Sequence, residues 1–268
     1  MSSSMVVIGL GELGAEVVKS LATHPQRCNT QLALDAWKAE AVIGDVVQDS
    51  QENLTKIFAD YDTVICCTGM YAPPETQMKI VKAALAAGVK RYFPWQFGIN
   101  YNAVGRNSSQ DLSDSQLDVR GLLRGQSKTA WVIVSTGMFI SFLFEPAFGL
   151  VNAERSVVTG IGSWENEITL ALVCPDAQSV AYIAGDTISM SRLADVVEKV
   201  IGRQVARKLK TVPGLKAELA EDPSDGMRKY RVVFGEGKGV AWSKEKSFNG
   251  VHGIPTQTVE AWATQNMK

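Results

Sequence analysis

Residues 5–23, MVVIGLGELGAEVVKSLAT, decide the fold of this chain. A short apolar run, MVVI, meets Gly9, Gly11 and Gly14, and apolar residues then recur at helical intervals. This order predicts a β-strand, a tight turn and an α-helix. Each glycine has its own reason: Gly9 lets the chain turn, Gly11 lets a diphosphate approach the backbone, and Gly14 lets the helix pack on the strand.

The start of the predicted helix is suited to bind an anion. The backbone N–H groups of Gly11, Glu12, Leu13 and Gly14 lie in its first turn, where the helix dipole favours negative charge. The motif therefore predicts a dinucleotide-binding site. The alternative is a glycine-rich turn with a purely structural role, because glycines are common in turns.

Length and composition are those of an ordinary globular protein. The chain has 268 residues, of which 46% are hydrophobic and 21% charged, and its formal net charge is -1. These values argue against a nucleic-acid surface and against disorder. The sequence has no long apolar run and no basic stretch before the first strand, so we expect a cytoplasmic protein without a membrane partner.

The chain has few cysteines and histidines that could act in catalysis or bind a metal. The four cysteines have no metal-ligand spacing, and the adjacent Cys66 and Cys67 fall inside an apolar strand, where we expect small buried hydrophobes. Only two histidines occur. We therefore expect no metal site and no Ser-His-Asp triad.

Two short segments are predicted to form the second and third strands, residues 31–35 and 41–45. An acidic residue at the end of the second strand binds the ribose of NAD in many dinucleotide domains, which Asp35 matches. Arg27 and Lys38 leave NADP open, because a nearby cation accommodates its 2′-phosphate. Asp35 is also suited to be a helix N-cap.

Residues 62–69, DTVICCTG, form an almost continuous apolar run. Such a run is typical of a central parallel strand that is buried on both faces. Ligands of open parallel sheets bind beyond the carboxyl ends of the strands. Thr68, Gly69 and Met70 are therefore expected beside the cofactor.

The remaining pattern predicts an α/β fold. Helices are predicted at 75–87, 117–125 and 191–201, and strands at 91–93 and 131–135. Strands and helices alternate up to residue 135, which favours a Rossmann-type, doubly wound parallel sheet. The later part is irregular, so we interpret 1–142 as an NAD(P)-binding domain and 143–268 as a small C-terminal α+β substrate lobe, interleaved with it.

Large apolar side chains cluster near the predicted strand ends, where a pocket is expected. They are Trp95, Phe97, Met138, Phe139, Phe142 and Phe144. Together with the turn at Gly137, they are suited to bind a flat aromatic substrate. Core packing explains any one of them equally well.

Three stretches together carry a family resemblance: GLGELG near the start, RYFPWQFG at 91–98 and WVIVSTGMF at 131–139. The chain resembles the NmrA-like and isoflavone-reductase-like branch of the atypical short-chain dehydrogenases, and its fungal members most. The resemblance extends over nearly the whole chain. It implies a Rossmann domain that binds NADP(H), with NAD(H) still open, and a small C-terminal substrate lobe.

The resemblance also implies a place for the nicotinamide. In the plant reductases, a proline-serine-glutamate-phenylalanine-glycine segment lines this ring. Here the corresponding residues are Pro94, Trp95, Gln96 and Phe97, followed by a glycine.

Those reductases carry a lysine that assists proton transfer. The resemblance implies that Arg120 occupies the position of this lysine in the present chain. Arginine stays protonated, so Arg120 is expected to stabilise charge or to hold the cofactor rather than to release a proton. Gln96 or Thr68 would then position the substrate, and Asp118 is a second candidate acid. The alternative for Arg120 is an ordinary surface charge. The Tyr-x-x-x-Lys pair of ordinary short-chain dehydrogenases is absent.

Two loops, at 35–40 and 169–179, are short relative to the family, and the first normally carries the arginines for the 2′-phosphate.

The expected activity is NAD(P)H-dependent reduction of an aromatic or polycyclic secondary metabolite by a monomer or homodimer. The alternative, motivated by Arg120, is an NADP-binding protein without redox turnover, either a nucleotide-sensing regulator or a non-redox cyclase.

Overall fold

The computed structural model describes residues 4–23, 40–69, 72–170 and 180–267. Within them the chain divides into two compact units that interleave along the sequence. The first comprises the described residues of Met1–Gln96, Ser115–Ile133 and Asp176–Val180, and the second those of Phe97–Asp114, Val134–Pro175 and Ala181–Lys268. The domain bounds given above, 1–142 and 143–268, stay a prediction.

The first unit is built on a parallel sheet, which confirms the predicted α/β fold. Its described strands are β1 (Met5–Ile8), β2 (Thr63–Cys66), β3 (Arg91–Phe93) and β4 (Ala130–Trp131), in the spatial order β1-β2-β3-β4. The helices that precede β4 along the chain are α1 (Glu12–Thr23), α2 (Gln51–Phe58), α3 (Pro74–Ala87), α4 (Tyr101–Val104) and α5 (Leu112–Arg124). Of these, α4 and the start of α5 belong to the second unit.

Burial explains why β2 lies in the interior of this sheet. All its residues are buried, and the parallel register pairs Val64 with Val6 on one side and with Tyr92 on the other. The helix α3 ends where the sequence predicted, because Gly88 adopts φ 69° and its N–H bonds the carbonyls of Ala84 and Leu85. A left-handed residue at this position is most easily a glycine.

The strand predicted at 41–45 is wrong. The Asp45 carboxylate accepts hydrogen bonds from the N–H groups of Val47 (2.8 Å) and Gln48 (3.1 Å), which turns the chain toward α2. Ile43, in the middle of the segment, is 96% exposed. No described strand pairs with these residues. The strand predicted at 31–35 lies outside the described residues.

Two further predictions need correction in their bounds. The helix predicted at 117–125 begins earlier, at Leu112. The strand predicted at 131–135 is divided into β4 and β5 (Ile133–Ser135), and the N–H of Val132 between them bonds the Tyr92 carbonyl at 3.2 Å.

The second unit combines short β-ladders with helices. Its strands are β6 (Val157–Ile161), β7 (Glu167–Leu170), β8 (Val180–Tyr182), β9 (Asp186–Ser189) and β10 (Ala206–Lys210). β6 pairs with β10 in parallel, β7 with β9 antiparallel, and β5 pairs with β8. The helices are α6 (Ile140–Leu143), α7 (Met190–Ile201), α8 (Val212–Glu221), α9 (Gly226–Glu236), α10 (Phe248–Val251) and α11 (Val259–Asn266).

Aromatic packing forms the centre of this second unit. Phe148 is fully buried, and its ring lies 4.9 Å from that of Phe142 and 6.0 Å, edge-on, from that of Phe234. The predicted helix at 191–201 is confirmed as α7, which ends at Gly202 with φ 73°.

None of the helices in the described ranges is long and apolar enough to cross a membrane.

We predict that Phe148→Ala lowers the free energy of unfolding by about 3–5 kcal/mol, because it leaves a cavity among packed rings. Urea denaturation followed by circular dichroism measures this loss. The matched control is Val251→Ala, since Val251 is 68% exposed; its effect should stay within about 0.5 kcal/mol. Equal losses for the two variants would contradict the packing described here.

Candidate functional site

The glycine-rich turn is packed against the end of β2. Gly9 has φ +89°, and a Cβ built on it would lie 2.8 Å from the Cys67 carbonyl oxygen. A Cβ built on Gly14 would lie 1.9 Å from the Gly9 carbonyl oxygen. These two positions therefore require glycine, one for the turn and one for the contact between helix and turn.

Gly11 differs from its two neighbours in the motif. A Cβ built on it would meet no atom within 4 Å, so the backbone there faces open space. Glu12 and Leu13 follow in the first turn of α1, and the Ala15 N–H bonds the Gly11 carbonyl at 3.0 Å. The first backbone N–H groups of the helix have no partner within the helix itself, which makes this end suited to a diphosphate.

The carboxyl end of β2 lies beside this turn. Thr68 accepts a hydrogen bond at Oγ1 from Gln77 Nε2 of α3, at 2.7 Å, which fixes the Thr68 side chain. Gly69 has φ +82°, and a Cβ on it would meet no atom within 4 Å. Of the three residues that the sequence placed at this edge, Thr68 borders the turn and Gly69 borders open space.

The two cysteines at this edge have unreactive thiols. Cys66 and Cys67 are buried and free. Burial raises the pKa of the Cys66 thiol and raises the pKa of the Cys67 thiol to about 12. Both are therefore neutral near pH 7 and are poor nucleophiles, in agreement with their predicted role as buried hydrophobes.

A buried polar network connects the segment after β3 with helix α5. Gln96 Oε1 accepts a hydrogen bond from Arg120 Nε at 2.6 Å, and Gln96 Nε2 donates one to the backbone carbonyl of Gln116 at 2.8 Å. All three residues are 0% exposed. Pro94 and Trp95, just before Gln96, are also buried. The network therefore fixes this segment onto α5.

Burial decides between the two interpretations of Arg120. The surface alternative is wrong, because Arg120 is among the largest fully buried side chains. Asp118 is exposed. Side chains of helical residues i and i+2 are rotated by about 200° about the helix axis. Asp118 therefore points away from the side of α5 that bears Arg120. The structure thus brings Gln96 and Arg120 together and leaves Asp118 out.

The remaining predicted substrate residues lie in the second unit. The Gly137 N–H bonds the Gly98 carbonyl at 3.0 Å, and the Met138 N–H bonds the Thr169 carbonyl at 2.9 Å. Gly137 has φ +72°, and a Cβ on it would lie 2.0 Å from the Thr169 carbonyl oxygen, so this turn is fixed and requires glycine.

Burial differs among the aromatic and methionine side chains of this unit. Phe97 and Met138 are buried, whereas Phe139 and Phe142 are partly exposed. Phe144 stacks on Trp262 with ring centroids 5.0 Å apart, so packing within this unit accounts for it.

Three predicted cofactor residues, Asp35, Lys38 and Met70, lie outside the described residues. Within the described ranges, no group of three or more His, Cys, Asp or Glu side chains is placed to hold a metal ion.

Sequence reasoning missed two residues of this edge, Gln77 and Gln116. Gln77 holds Thr68. Gln116 lies one helical turn before Arg120 and is buried with it. A signal was present, because Ser113, Gln116 and Arg120 recur at the spacing of one helix face, which in this helix is the buried one.

The chain matches known proteins over most of its length. The family model described as "NmrA-like family" matches residues 5–164. A curated NmrA-like family domain-containing oxidoreductase of Gibberella moniliformis is 40% identical, over 95% of this chain and 95% of that protein.

Two solved structures of ligand complexes have the same fold. The ternary complex of leucoanthocyanidin reductase from Vitis vinifera has a TM-score of 0.75 at 20% identity, covering 99% of this chain and 100% of the other. AtPrR2 with NADP+ and (+)pinoresinol has a TM-score of 0.75 at 14% identity, covering 98% of each chain. At these identities the likeness shows the fold, which is Rossmann-like.

We predict opposite results for two glycines of the same turn. Gly14→Ala should lower the melting temperature by several degrees or prevent folding, because its Cβ would collide with the Gly9 carbonyl. Gly11→Ala should change it by less than about 2 °C, because its Cβ meets nothing. Thermal unfolding measures both. A Gly14→Ala protein as stable as Gly11→Ala would contradict this geometry.

Proposed function

This chain belongs to the NmrA-like family, and from that premise we propose that it is an oxidoreductase that uses NADP(H) to reduce an aromatic or polycyclic small molecule. The observation that carries the proposal is the open backbone at Gly11, at the start of α1 and beside the end of β2. The 40% identical fungal relative is named an oxidoreductase, which supports the same reaction class.

The residues of the first unit fit a dinucleotide. Gly11 leaves space where a diphosphate approaches, and it lies at the start of α1, where the helix dipole favours negative charge. Thr68 and Gly69 would border the cofactor from the end of β2. The structure of AtPrR2 with NADP+ supports NADP(H) over NAD(H).

The bound nicotinamide would supply the hydride, and this chain's residues would provide position and electrostatics. Arg120 carries a permanent positive charge in a buried site, where it interacts more strongly than in water. It would stabilise negative charge that develops on the substrate oxygen. Gln96, bonded to Arg120 and to the Gln116 carbonyl, would keep the segment after β3 in place.

Met138, Phe139 and Phe142, all within the second unit, are the candidates for apolar contacts with an aromatic ligand. Phe139 and Phe142 are partly exposed, and Met138 follows a fixed glycine turn at Gly137. The rings of an aromatic ligand would make favourable contacts with the phenylalanine rings. The names of the two solved complexes mention pinoresinol and leucoanthocyanidin, which supports an aromatic ligand.

The proposal extends to a cytoplasmic enzyme of secondary metabolism that acts as a monomer or homodimer on a small molecule.

A second candidate function follows from Arg120. Since arginine does not release a proton, the protein would bind NADP(H) without turnover and act as a regulator or a non-redox cyclase.

The test is to mix the protein with NADPH and a panel of aromatic carbonyls, imines and conjugated alkenes, and to follow the absorbance of the reduced nicotinamide. Consumption on any panel member supports the reductase. Tight NADPH binding without consumption favours the second function. Binding of neither NADPH nor NADH contradicts both.

We predict that Arg120→Lys lowers the turnover number about tenfold or more, because lysine loses the Nε contact with Gln96 and places its charge differently. The matched control is Arg124→Lys on the same helix, whose side chain is exposed and whose turnover should be unchanged. The same substrate and saturating NADPH are used for all three proteins. Equal turnover of Arg120→Lys and wild type would contradict the role given to Arg120.

A further inference from the structure

We propose that the ring of Trp242, together with that of Tyr182, binds the aromatic ring of the small molecule on which the proposed reductase acts. The inference rests on the proposed function and adds a substrate contact to it. Both side chains belong to the second unit and are partly exposed. Their ring centroids lie 5.1 Å apart in an edge-to-face arrangement.

Trp242 is fixed by hydrogen bonds to all of its polar groups. Its backbone N–H donates to Thr169 Oγ1 at 2.8 Å, and its carbonyl accepts from Thr187 Oγ1 at 2.9 Å. Its indole Nε1–H donates to the carbonyl of Ile183 at 3.1 Å. The ring is therefore held in one orientation before a ligand arrives, and little conformational entropy is lost when a ligand contacts it.

The two threonines that hold Trp242 belong to the ladder between β7 and β9. Thr169 and Thr187 are opposite each other in the antiparallel register, and their hydroxyl oxygens are 2.9 Å apart. Directly opposed side chains lie on the same face of a ladder. The backbone of Trp242 is therefore attached to one face of this ladder.

Thr169 also connects Trp242 with the turn before Met138. The Thr169 carbonyl accepts a hydrogen bond from the Met138 N–H at 2.9 Å, and the Thr169 N–H donates one to the Val240 carbonyl at 3.0 Å. The N–H and C=O of one residue in an antiparallel ladder point to the same side, so Met138 and Val240 meet at one edge of β7. Trp242 follows two residues later. It therefore lies near the turn that carries Met138 and Phe139.

The geometry of the ring pair leaves space for a third ring. An edge-to-face contact uses the edge of one ring and one face of the other, so each ring keeps at least one face that the pair does not use. The indole N–H of Trp242 is already bonded, so the ring offers its π-system and its apolar surface. A flat aromatic ligand suits this surface better than a saturated one of the same skeleton, because aromatic pairs are stabilised beyond the area they bury.

Exposure alone does not indicate a site, because single apolar side chains are common on protein surfaces. Two features distinguish Trp242 from such residues: the hydrogen bonds that fix it, and its place beside the turn at Met138. Trp262 is a useful comparison within the same unit. It is partly exposed too, but its ring stacks on that of Phe144 with planes 11° apart, so one of its faces is covered by the protein itself.

The test uses two probes with the same ring skeleton, 2-naphthol, which is flat and aromatic, and decahydro-2-naphthol, which is saturated. The anisotropy of 2-naphthol fluorescence gives its Kd with and without NADP+, and competition gives the Kd of the saturated probe. We expect Trp242→Leu to raise the Kd of 2-naphthol about fivefold, the value for one lost aromatic pair, and that of decahydro-2-naphthol by less than about twofold. Trp242→Phe keeps a ring, so both values should stay within about twofold of wild type.

The matched control is Trp262→Leu, which removes a partly exposed indole of the same unit that already has an aromatic partner. Its Kd for both probes should equal that of wild type. If Trp242→Leu does not fold, Trp242→Met replaces it in the same titrations.

The indole N–H resonances give a second readout on the wild-type chain, which has six tryptophans. The Trp242 resonance is the one missing from the spectrum of Trp242→Phe. A ring that packs on Trp242 shifts this resonance by its ring current, so we expect 2-naphthol to shift it and decahydro-2-naphthol to shift it much less. A purely structural Trp242 would show no such difference between the probes.

The proposal is overturned if wild type binds neither probe, if Trp242→Leu binds 2-naphthol as wild type does, or if it loses affinity for both probes equally. It is equally overturned if the Trp242 resonance responds to protein concentration and not to 2-naphthol, since a second copy of the chain would then cover the ring. Failure to bind NADP+ or to consume NADPH, with the expected results for 2-naphthol, would contradict only the proposed function.

Discussion

The close contact between the glycine-rich turn and the end of β2 is the constraint on which the rest of the first unit depends. Gly9 turns directly against the Cys67 carbonyl, and Gly14 brings α1 onto Gly9 with no room for a side chain. Because those two glycines are packed, the one between them, Gly11, is left facing open space. The same packing that holds helix to sheet thus creates the place for a diphosphate.

A second contact organises the other side of the sheet edge. Arg120 and Gln96 are fully buried and bonded, and through the Gln116 carbonyl they fix the segment after β3 onto α5. A buried guanidinium is costly unless it is hydrogen-bonded, so this network commits the segment to one arrangement. A site that must place a substrate against a cofactor benefits from such rigidity.

The sequence predicted the fold where a local pattern has one physical solution. The apolar runs of β1 and β2 and the helix ends at Gly88 and Gly202 were confirmed. The strand at 41–45 was wrong because a short apolar run does not reveal that Asp45 binds its own backbone N–H groups. The early start of α5 was missed because the buried side of this helix carries polar residues.

The sequence also predicted part of the candidate site. The glycine motif and the ends of β2 and β3 follow from spacing and from the rule for parallel sheets. The burial of Arg120 does not, because charged residues are exposed by default and only tertiary contacts reverse that expectation. The hydrogen bonds that fix Trp242 depend on tertiary contacts too and are invisible in the sequence.

Binding of NADP+ to wild type and to Gly11→Asp decides whether the glycine-rich turn holds the diphosphate. The open space at Gly11 accepts the side chain, so thermal stability should be unchanged, whereas its carboxylate would repel a diphosphate at the start of α1. We expect that wild type binds NADP+ and that the equally stable Gly11→Asp variant binds it with an affinity lower by about 100-fold or more. Retained affinity in Gly11→Asp, or no binding by wild type, would contradict it.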